Sequence, residues 1–172
     1  MYKFVVVLLT MSCSAFSNEI AFKLISEFEG FHSDIYDYIE CHNTQKRSIP
    51  HIGYGFTNPK YIAQGKLDRI TADKILRKKI AYLDTWLHKH INVHLHEHRY
   101  AVLISLVYNI GQGAFLKSQV LSCINNQQLH LVPEKIALFC KVKGKVHPAL
   151  VSRRALESTL WLDIHHSYFM NP

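Results

Sequence analysis

The sequence predicts an α+β fold that is mainly helical, and three observations lead to this prediction. From Leu24 to Phe31, apolar residues recur at nearly helical spacing. The stretch 51–55 reads His-Ile-Gly-Tyr-Gly, whose paired glycines flank an aromatic residue and favour a strand with close backbone approach. From Thr71 onward, one apolar segment of helical period follows another. We therefore expect several helices and one small sheet in a single domain.

The later helices are marked by their starts and stops. Thr71 can cap the N-terminus of a helix whose apolar face continues to Leu87. Residues 100–110 are apolar nearly all round, as a buried central helix should be, and Gly111 stops that helix. Further helices are expected near residues 117–125, 132–140 and 149–162.

Size and charge narrow the class of protein. A chain of 172 residues can form one domain with a real hydrophobic core, and its composition is that of a globular protein. The formal net charge of +7 favours polyanionic partners, which include nucleic acid, acidic lipid headgroups and the carboxylate-rich bacterial cell wall. Charge alone does not choose among the three.

The N-terminus has the layout of a secretory signal peptide: a lysine, then an apolar run over residues 4–11, then small residues. The apolar run is far shorter than the ~20 residues that a membrane-spanning helix needs. We therefore expect residues 1–17 to be removed by cleavage after Ala15 or Ser17. No stable membrane insertion is expected after this removal.

Export would leave residues 18–172 as one domain in the periplasm or outside the cell. Cys13 faintly resembles the lipid attachment site of a lipoprotein, so lipidation is an alternative to cleavage. In either case the working protein is exported, which argues against nucleic acid as its partner.

Export also makes a disulfide possible, because compartments outside the cytoplasm are oxidising. Removal of the signal leaves Cys41, Cys123 and Cys140. Cys123 and Cys140 lie in consecutive predicted helical segments, and we expect them to form a disulfide, with Cys41 left over.

The segment 88–98 is rich in histidine. If it were extended, alternate histidines would share one face and could bind zinc or nickel. Nothing else in the sequence marks a metal centre, so we expect a polar bridge between two helices and no metal or other cofactor.

Glu29 is the first candidate for chemistry, because it ends the first predicted helix just before Gly30. A carboxylate there lies at the negative end of the helix dipole, which favours the protonated form that a general acid needs. The alternative is a solvated surface carboxylate.

Three motifs follow one another along the chain. The first combines Glu29-Gly30 with Ile-Gly-Tyr-Gly at 52–55, and the second is Leu-Val-Tyr-Asn-Ile-Gly-Gln-Gly-Ala-Phe at 106–115. The third is Pro-Ala-Leu-Val-Ser-Arg-Arg-Ala-Leu-Glu at 148–157. Together they resemble the phage-type lysozymes, glycoside hydrolase family twenty-four, over nearly all of the exported chain.

The resemblance implies a two-lobed fold: a small β-sheet lobe and a helical lobe, joined by a helix, with the active-site cleft between them. It implies a monomeric bacteriolytic muramidase. Such an enzyme cleaves the β-1,4 bond between N-acetylmuramic acid and N-acetylglucosamine in bacterial peptidoglycan. The alternative is a muramidase-like scaffold that binds peptidoglycan and has lost catalysis, because two family positions differ in this sequence.

Those two positions concern the catalytic pair. In the family the acid is the glutamate before glycine, here Glu29, and glycoside hydrolysis needs a second group opposite it. The family usually has an aspartate nine residues later and a threonine before the strand, where this sequence has Tyr38 and His51. Asp37, which lies one position before Tyr38, is one candidate for the second group. Glu40 is another, if Tyr38 takes the place of the family tyrosine. His51 is the third candidate, since a neutral imidazole can take a proton from water near pH 7.

The resemblance also implies binding roles. Tyr36 has an acidic neighbour, as the family tyrosine does, and is expected at the substrate site. Asn109 is expected to hydrogen-bond an acetamido group of the sugar. Arg153 or Arg154 is expected near Glu29, where a cation would orient the acid; the alternative for the pair is a solvated helix face.

Overall fold

The computed structural model describes residues 13–42 and 45–162, and the side chains of these except at 13–14, 38–42 and 45–47. Most of this chain is helical, which confirms the predicted mainly helical α+β class. The elements are α1 (Cys13–Glu29), β1 (His32–His42), β2 (Gln45–Gly53), α2 (Pro59–Ile62), α3 (Arg69–His88), α4 (Glu97–Ile110), α5 (Gln112–Leu116), α6 (Gln119–Asn125), a 3-10 helix (Leu129–Leu131), α7 (Val132–Ala137), β3 (Lys141–Val142), β4 (Lys145–Val146) and α8 (Pro148–Leu162).

These elements form a small sheet lobe and a larger helical lobe. β1 and β2 pair as an antiparallel hairpin, and the 20-residue helix α3 leads from this lobe into the helical one. α4 packs against α1, α3 and α8 at the centre of the helical lobe. All its residues from Tyr100 to Val107 are buried, as the apolar sequence predicts.

α1 ends at Glu29 because Gly30 adopts a left-handed φ of 67°, a conformation that favours glycine. The Gly30 N–H donates to the Ser26 carbonyl at 3.2 Å and closes the last turn of the helix. The chain then turns into β1. Glu29 is thereby placed at the junction between the two lobes.

α1 begins at Cys13, so it includes the region where we expected signal cleavage, and Ser17 is buried. Residues 1–12 lie outside the described residues. Signal cleavage and lipidation of Cys13 therefore stay predictions.

A tight turn follows β2 and explains the paired glycines of the strand motif. Ile52 and Phe56 exchange backbone hydrogen bonds of 3.0 and 2.8 Å across this turn. Gly53 has a φ of 66°, and a Cβ added there would lie 2.7 Å from the Phe56 ring. Because that distance is below van der Waals contact, only glycine fits at position 53.

The N-terminus of α3 corrects one expectation. Asp68, and not Thr71, is the cap: its Oδ1 accepts from the Thr71 N–H at 2.9 Å. The N–H groups in the first turn of a helix have no carbonyl partner within it, and a side chain three residues before such a group can reach it. The helix therefore begins at Arg69, earlier than a cap at Thr71 would imply.

The histidine-rich segment joins the end of α3 to the start of α4. The Nδ1 atoms of His88 and His90 lie 2.9 and 2.8 Å from the carbonyl oxygens of Asp84 and Trp86 in the last turn of α3. Within residues 13–42 and 45–162, no group of three or more histidine, cysteine, aspartate or glutamate side chains is placed to hold a metal ion. No helix in the same part of the chain has the length and apolar character to cross a membrane.

The expected disulfide is not formed. Cys123 and Cys140 are both free thiols. Cys123 lies in the buried face of α6, whereas Cys140 follows α7 and lies near the guanidinium of Arg154. Consecutive helical segments therefore do not bring the two sulfur atoms together here. The side chain of Cys41 lies outside the described residues.

α8 packs against α4 and α7, and a buried ionic cluster lies between α8 and α4. Glu157, Arg153 and Arg154 are 0%, 4% and 1% exposed in their side chains. The Glu157 oxygens lie 3.3 Å from Arg153 Nε and 3.0 Å from Arg154 Nε, and Ser105 Oγ donates to the same carboxylate at 2.7 Å. Both arginines of the third motif are therefore buried, and the alternative of a solvated helix face is wrong.

Burial affects the ionisation of this cluster in both directions. It raises the pKa of the Glu157 carboxyl, and the two guanidiniums and the Ser105 hydroxyl oppose that rise. It lowers the pKa of Arg154 to about 10, against the opposing effect of Glu157. Arg154 thus keeps its positive charge at neutral pH, and Glu157 is the counter-charge that makes its burial tolerable.

We predict that Glu157→Gln destabilises the fold by about 3–5 kcal/mol, because two buried guanidiniums lose their only shared counter-charge within the described cluster. Urea unfolding of the purified protein measures this. Glu134→Gln is the matched control: Glu134 is 68% exposed and pairs with Lys135, so its loss should change stability by less than about 1 kcal/mol. Equal effects of the two substitutions would contradict the prediction.

Candidate active site

A cleft of about 800 Å³ opens between the hairpin of the sheet lobe and helices α4 and α8. Its walls bring together five of the residues that the sequence singled out. These are Glu29, Tyr36, His51, Asn109 and Arg153. They come from five different elements or turns, so the cleft exists only in the folded chain.

Glu29 is fixed at one oxygen and open at the other. Its Oε1 accepts a hydrogen bond from Arg153 Nη1 at 2.7 Å, and its side chain is 23% exposed. Its Oε2 faces Gly55, where an added Cβ would lie 3.6 Å from it. The same Cβ would lie 4.0 Å from the Tyr36 hydroxyl. The carboxyl group therefore presents Oε2 toward Gly55 and Tyr36, which line the cleft together with it.

Arg153 is itself held from three directions. Its Nη2 donates to the Ser105 carbonyl at 3.2 Å and to Ser105 Oγ at 3.3 Å, and its Nε contacts Glu157. The guanidinium carbon lies 5.1 Å from the centroid of the Phe28 ring. A cation held this rigidly fixes the orientation of the Glu29 carboxyl.

His51 and Tyr36 are cross-strand partners in the hairpin. Their rings stack with centroids 5.6 Å apart, and both line the cleft. His51 Nδ1 lies 2.7 Å from the Ile49 carbonyl oxygen, which can only accept. In the neutral ring the proton is therefore on Nδ1, and Nε2 is the basic nitrogen.

Burial raises the pKa of Tyr36, and the nearby charge of Glu29 adds to this rise. The tyrosine therefore stays a neutral hydrogen-bond donor throughout the physiological pH range. Tyr36 lines the cleft, and its predicted role in binding substrate stays a prediction.

Asp37 is not brought into the cleft. It pairs with Pro50, one position along from the pair of Tyr36 and His51, and side chains alternate between the two faces of a hairpin. Its Oδ1 accepts from Ser48 Oγ at 2.6 Å on the exposed side. The register shift between His32 and Tyr36 does not turn this carboxylate toward Glu29.

Glu40 lies further along β1, opposite Arg47 in the register. Its side chain lies outside the described residues. Tyr38, which stands nine residues after Glu29, pairs with Ile49 in the same hairpin.

Asn109 and Arg154 form a pair at the floor of the site. Arg154 Nη2 donates to Asn109 Oδ1 at 3.3 Å, while Asn109 is exposed at the cleft. Arg154 is buried behind it and does not line the cleft. Arg153, and not Arg154, is therefore the arginine that contacts Glu29, and Arg154 orients the amide of Asn109.

Two further residues belong to the site although sequence reasoning missed them. Tyr108 lines the cleft, and its hydroxyl donates to the Tyr54 carbonyl at 2.7 Å, which ties α4 to the sheet lobe. Burial raises the pKa of Tyr108, and the charge of Glu29 acts in the same direction.

Ser105 is the second of these residues, and it supports both Arg153 and Glu157. A lone serine in an otherwise apolar buried helix is the signal that could have found it, because a buried hydroxyl requires a partner.

Comparison with known proteins finds relatives with similar amino-acid sequences. The chain is 28% identical over 144 residues to an endolysin of Bacillus phage PZA, covering 84% of this chain and 54% of that protein. It is 31% identical over 126 residues to an endolysin of Salmonella phage P22, covering 70% of this chain and 84% of that one. The chain thus spans about half the length of the Bacillus phage relatives it matches.

Solved structures share the fold. The muramidase domain of SpmX from Asticaccaulis excentricus superposes with a TM-score of 0.71 at 24% identity, over 83% of this chain and 95% of that one. An endolysin from Escherichia coli O157:H7 phage FAHEc1 has a TM-score of 0.69 at 24% identity, over 90% and 95%. This likeness confirms the two-lobed lysozyme-like architecture.

The family model named "Phage lysozyme" matches residues 26–157, a range that contains all three motifs, the hairpin and the buried cluster of α8. The chain therefore belongs to the phage lysozyme family.

Proposed function

We propose that this protein is a peptidoglycan hydrolase, a muramidase that cleaves the β-1,4 bond between N-acetylmuramic acid and N-acetylglucosamine. The observation that carries this proposal is the placement of the two carboxyl oxygens of Glu29. One of its oxygens is held by a buried arginine, while the other faces a cleft of about 800 Å³, large enough for a stretch of sugar chain. The endolysin relatives support the same reaction class.

Glu29 acts as the general acid. Because Arg153 donates to Oε1, the proton of the carboxylic acid is carried on Oε2, the oxygen that faces the cleft. From there it passes to the glycosidic oxygen of the leaving sugar as the bond to the anomeric carbon breaks. Arg153 then stabilises the carboxylate that remains.

His51 is our proposal for the second group. It lies on the sheet side of the cleft, and its basic Nε2 can take a proton from a water molecule. That water attacks the anomeric carbon from the face opposite to the leaving oxygen, so the product has the inverted, α configuration. Asp37 is the weaker candidate, since it lies on the other face of the hairpin.

Asn109 and Tyr36 complete the site as substrate-binding residues. Asn109 is exposed at the cleft with its amide oriented by Arg154, which suits a hydrogen bond to an acetamido group. Tyr36 offers a neutral hydroxyl close to Glu29. We further propose that the protein reaches its substrate by export, on the evidence of the signal-like pattern at residues 1–17.

We expect Glu29→Gln to reduce the cleavage of cell walls by about 10²-fold or more, because the amide keeps the shape but cannot donate the acid proton. Loss of turbidity of a purified cell-wall suspension measures the rate. Glu27→Gln is the control, since Glu27 lies two residues earlier in α1 and is exposed. A Glu29→Gln protein as active as the Glu27→Gln protein would remove Glu29 from the acid role.

We also expect His51→Thr to lower activity about tenfold or more, and Asp37→Asn to change it by less than about twofold. The reason is that, of these two residues, His51 lines the cleft and Asp37 does not. Both variants are assayed on one wall preparation, and NMR of the first product formed by the wild type gives its anomeric configuration. An inactive Asp37→Asn beside an active His51→Thr, or a β product, would show that the assigned water activation is wrong.

A further inference from the structure

A second groove opens beside the cleft. It has a volume of about 520 Å³ and shares Gly55 and Tyr108 with the cleft, so that a ligand bound in one can extend into the other. Its remaining walls come from residues 56–61, which follow β2, and from one face of α3. We call it the α3 groove.

The wall on α3 is a stripe at helical spacing. Ile75, Lys78, Lys79 and Tyr82 follow one another at i, i+3, i+4 and i+7, so they share one face of the helix. The core-facing side of α3 is made of other residues, which are buried. Lys78 and Lys79 are exposed, and Tyr82 is 54% exposed. This second face of α3 is thus available to a ligand.

Aromatic rings give the groove a defined shape. Gln112 Nε2 lies 3.3 Å from the Tyr82 hydroxyl, and the Lys79 ammonium lies 5.4 Å from the centroid of the Tyr82 ring. These contacts hold the tyrosine at the rim. Phe56 and Tyr61, whose ring centroids are 5.9 Å apart, form an apolar part of the groove wall. Such a surface suits the aliphatic parts of a peptide.

The charge of the groove has one sign. Among the residues that the structure describes, its walls contain two lysines and no aspartate or glutamate. The ion pairs formed within residues 13–42 and 45–162 involve neither lysine. Two ammonium groups on adjacent residues, beside an apolar wall, favour a ligand that carries carboxylates on a short, partly apolar chain.

We propose that the α3 groove binds the carboxylates of the stem peptides that project from a peptidoglycan strand. Lys78 and Lys79 would then select strands that carry peptides, while the cleft holds the sugars. This inference rests on the proposed function, because it takes the occupant of the neighbouring cleft to be the glycan.

The test measures binding and not cleavage, in the full chain carrying Glu29→Gln. The variant adds Lys78→Gln and Lys79→Gln. The matched control adds Lys74→Gln and Lys89→Gln, which remove the same charge from exposed lysines that do not line the groove. Calorimetry gives Kd for three soluble probes: glycan strands with stem peptides, the same strands with carboxylates converted to amides, and strands freed of peptide.

For strands with intact stem peptides, the groove variant should raise Kd about 5- to 10-fold relative to the parent, as the loss of two exposed charge contacts implies. It should leave Kd for the amidated and the peptide-free strands within about twofold of the parent. The control variant should match the parent on all three probes. At ~1 M salt, where charges are screened beyond about 3 Å, the effect of the groove variant should disappear.

The outcomes separate the two proposals. If strands bind but the groove variant matches the parent, or weakens binding to all three probes alike, the stem-peptide site is wrong and the proposed function stands. A lysine effect that persists on peptide-free strands would assign the groove to the lactyl carboxylate of the sugar, and would overturn the stem-peptide site. If the parent binds no strand at all, the proposed function fails, and this inference fails with it.

Discussion

The ion pair between Arg153 and Glu29 joins two residues that are 124 positions apart in the chain and 2.7 Å apart in space. The position of the proposed acid depends on this contact, and the contact depends on Glu157. A buried cation costs several kcal/mol unless it is paired, so α8 can pack on α4 only with Glu157 between its two arginines. Folding stability and the orientation of the acid therefore share one cluster of side chains.

The hairpin decides the chemistry on the other side of the cleft through the two-residue period of its strands. Tyr36 and His51 are direct partners, so both point to the cleft, and Asp37 beside them must point away. Asp37 comes one residue before the position at which the family has its aspartate. In a strand this shift moves the carboxylate by about 3 Å and also turns it to the opposite face of the hairpin. This is why a histidine on the partner strand becomes the better candidate for the base.

The sequence predicted the class of fold from local patterns, among them the apolar face of α1 and the paired glycines of the tight turn, whereas it pointed to Tyr36, Asn109 and the arginine pair only through the resemblance to the family. It did not predict which of the two arginines reaches the cleft, or that both are buried around Glu157. Those facts depend on the rotation of α8 against α4, which side-chain packing settles. The free thiols were missed for the same reason, since neighbouring helices do not fix the distance between two sulfur atoms.

The hydrogen bond from Tyr108 to the Tyr54 carbonyl has a consequence for the width of the cleft. It joins α4 directly to the turn after β2 beside the cleft, so that a wider, open form of the cleft at this point would break it. A bond of this kind contributes about 1 kcal/mol net, so it keeps the open form about fivefold rarer than it would otherwise be. A Tyr108→Phe substitution would remove this bond and make that open form about fivefold more populated.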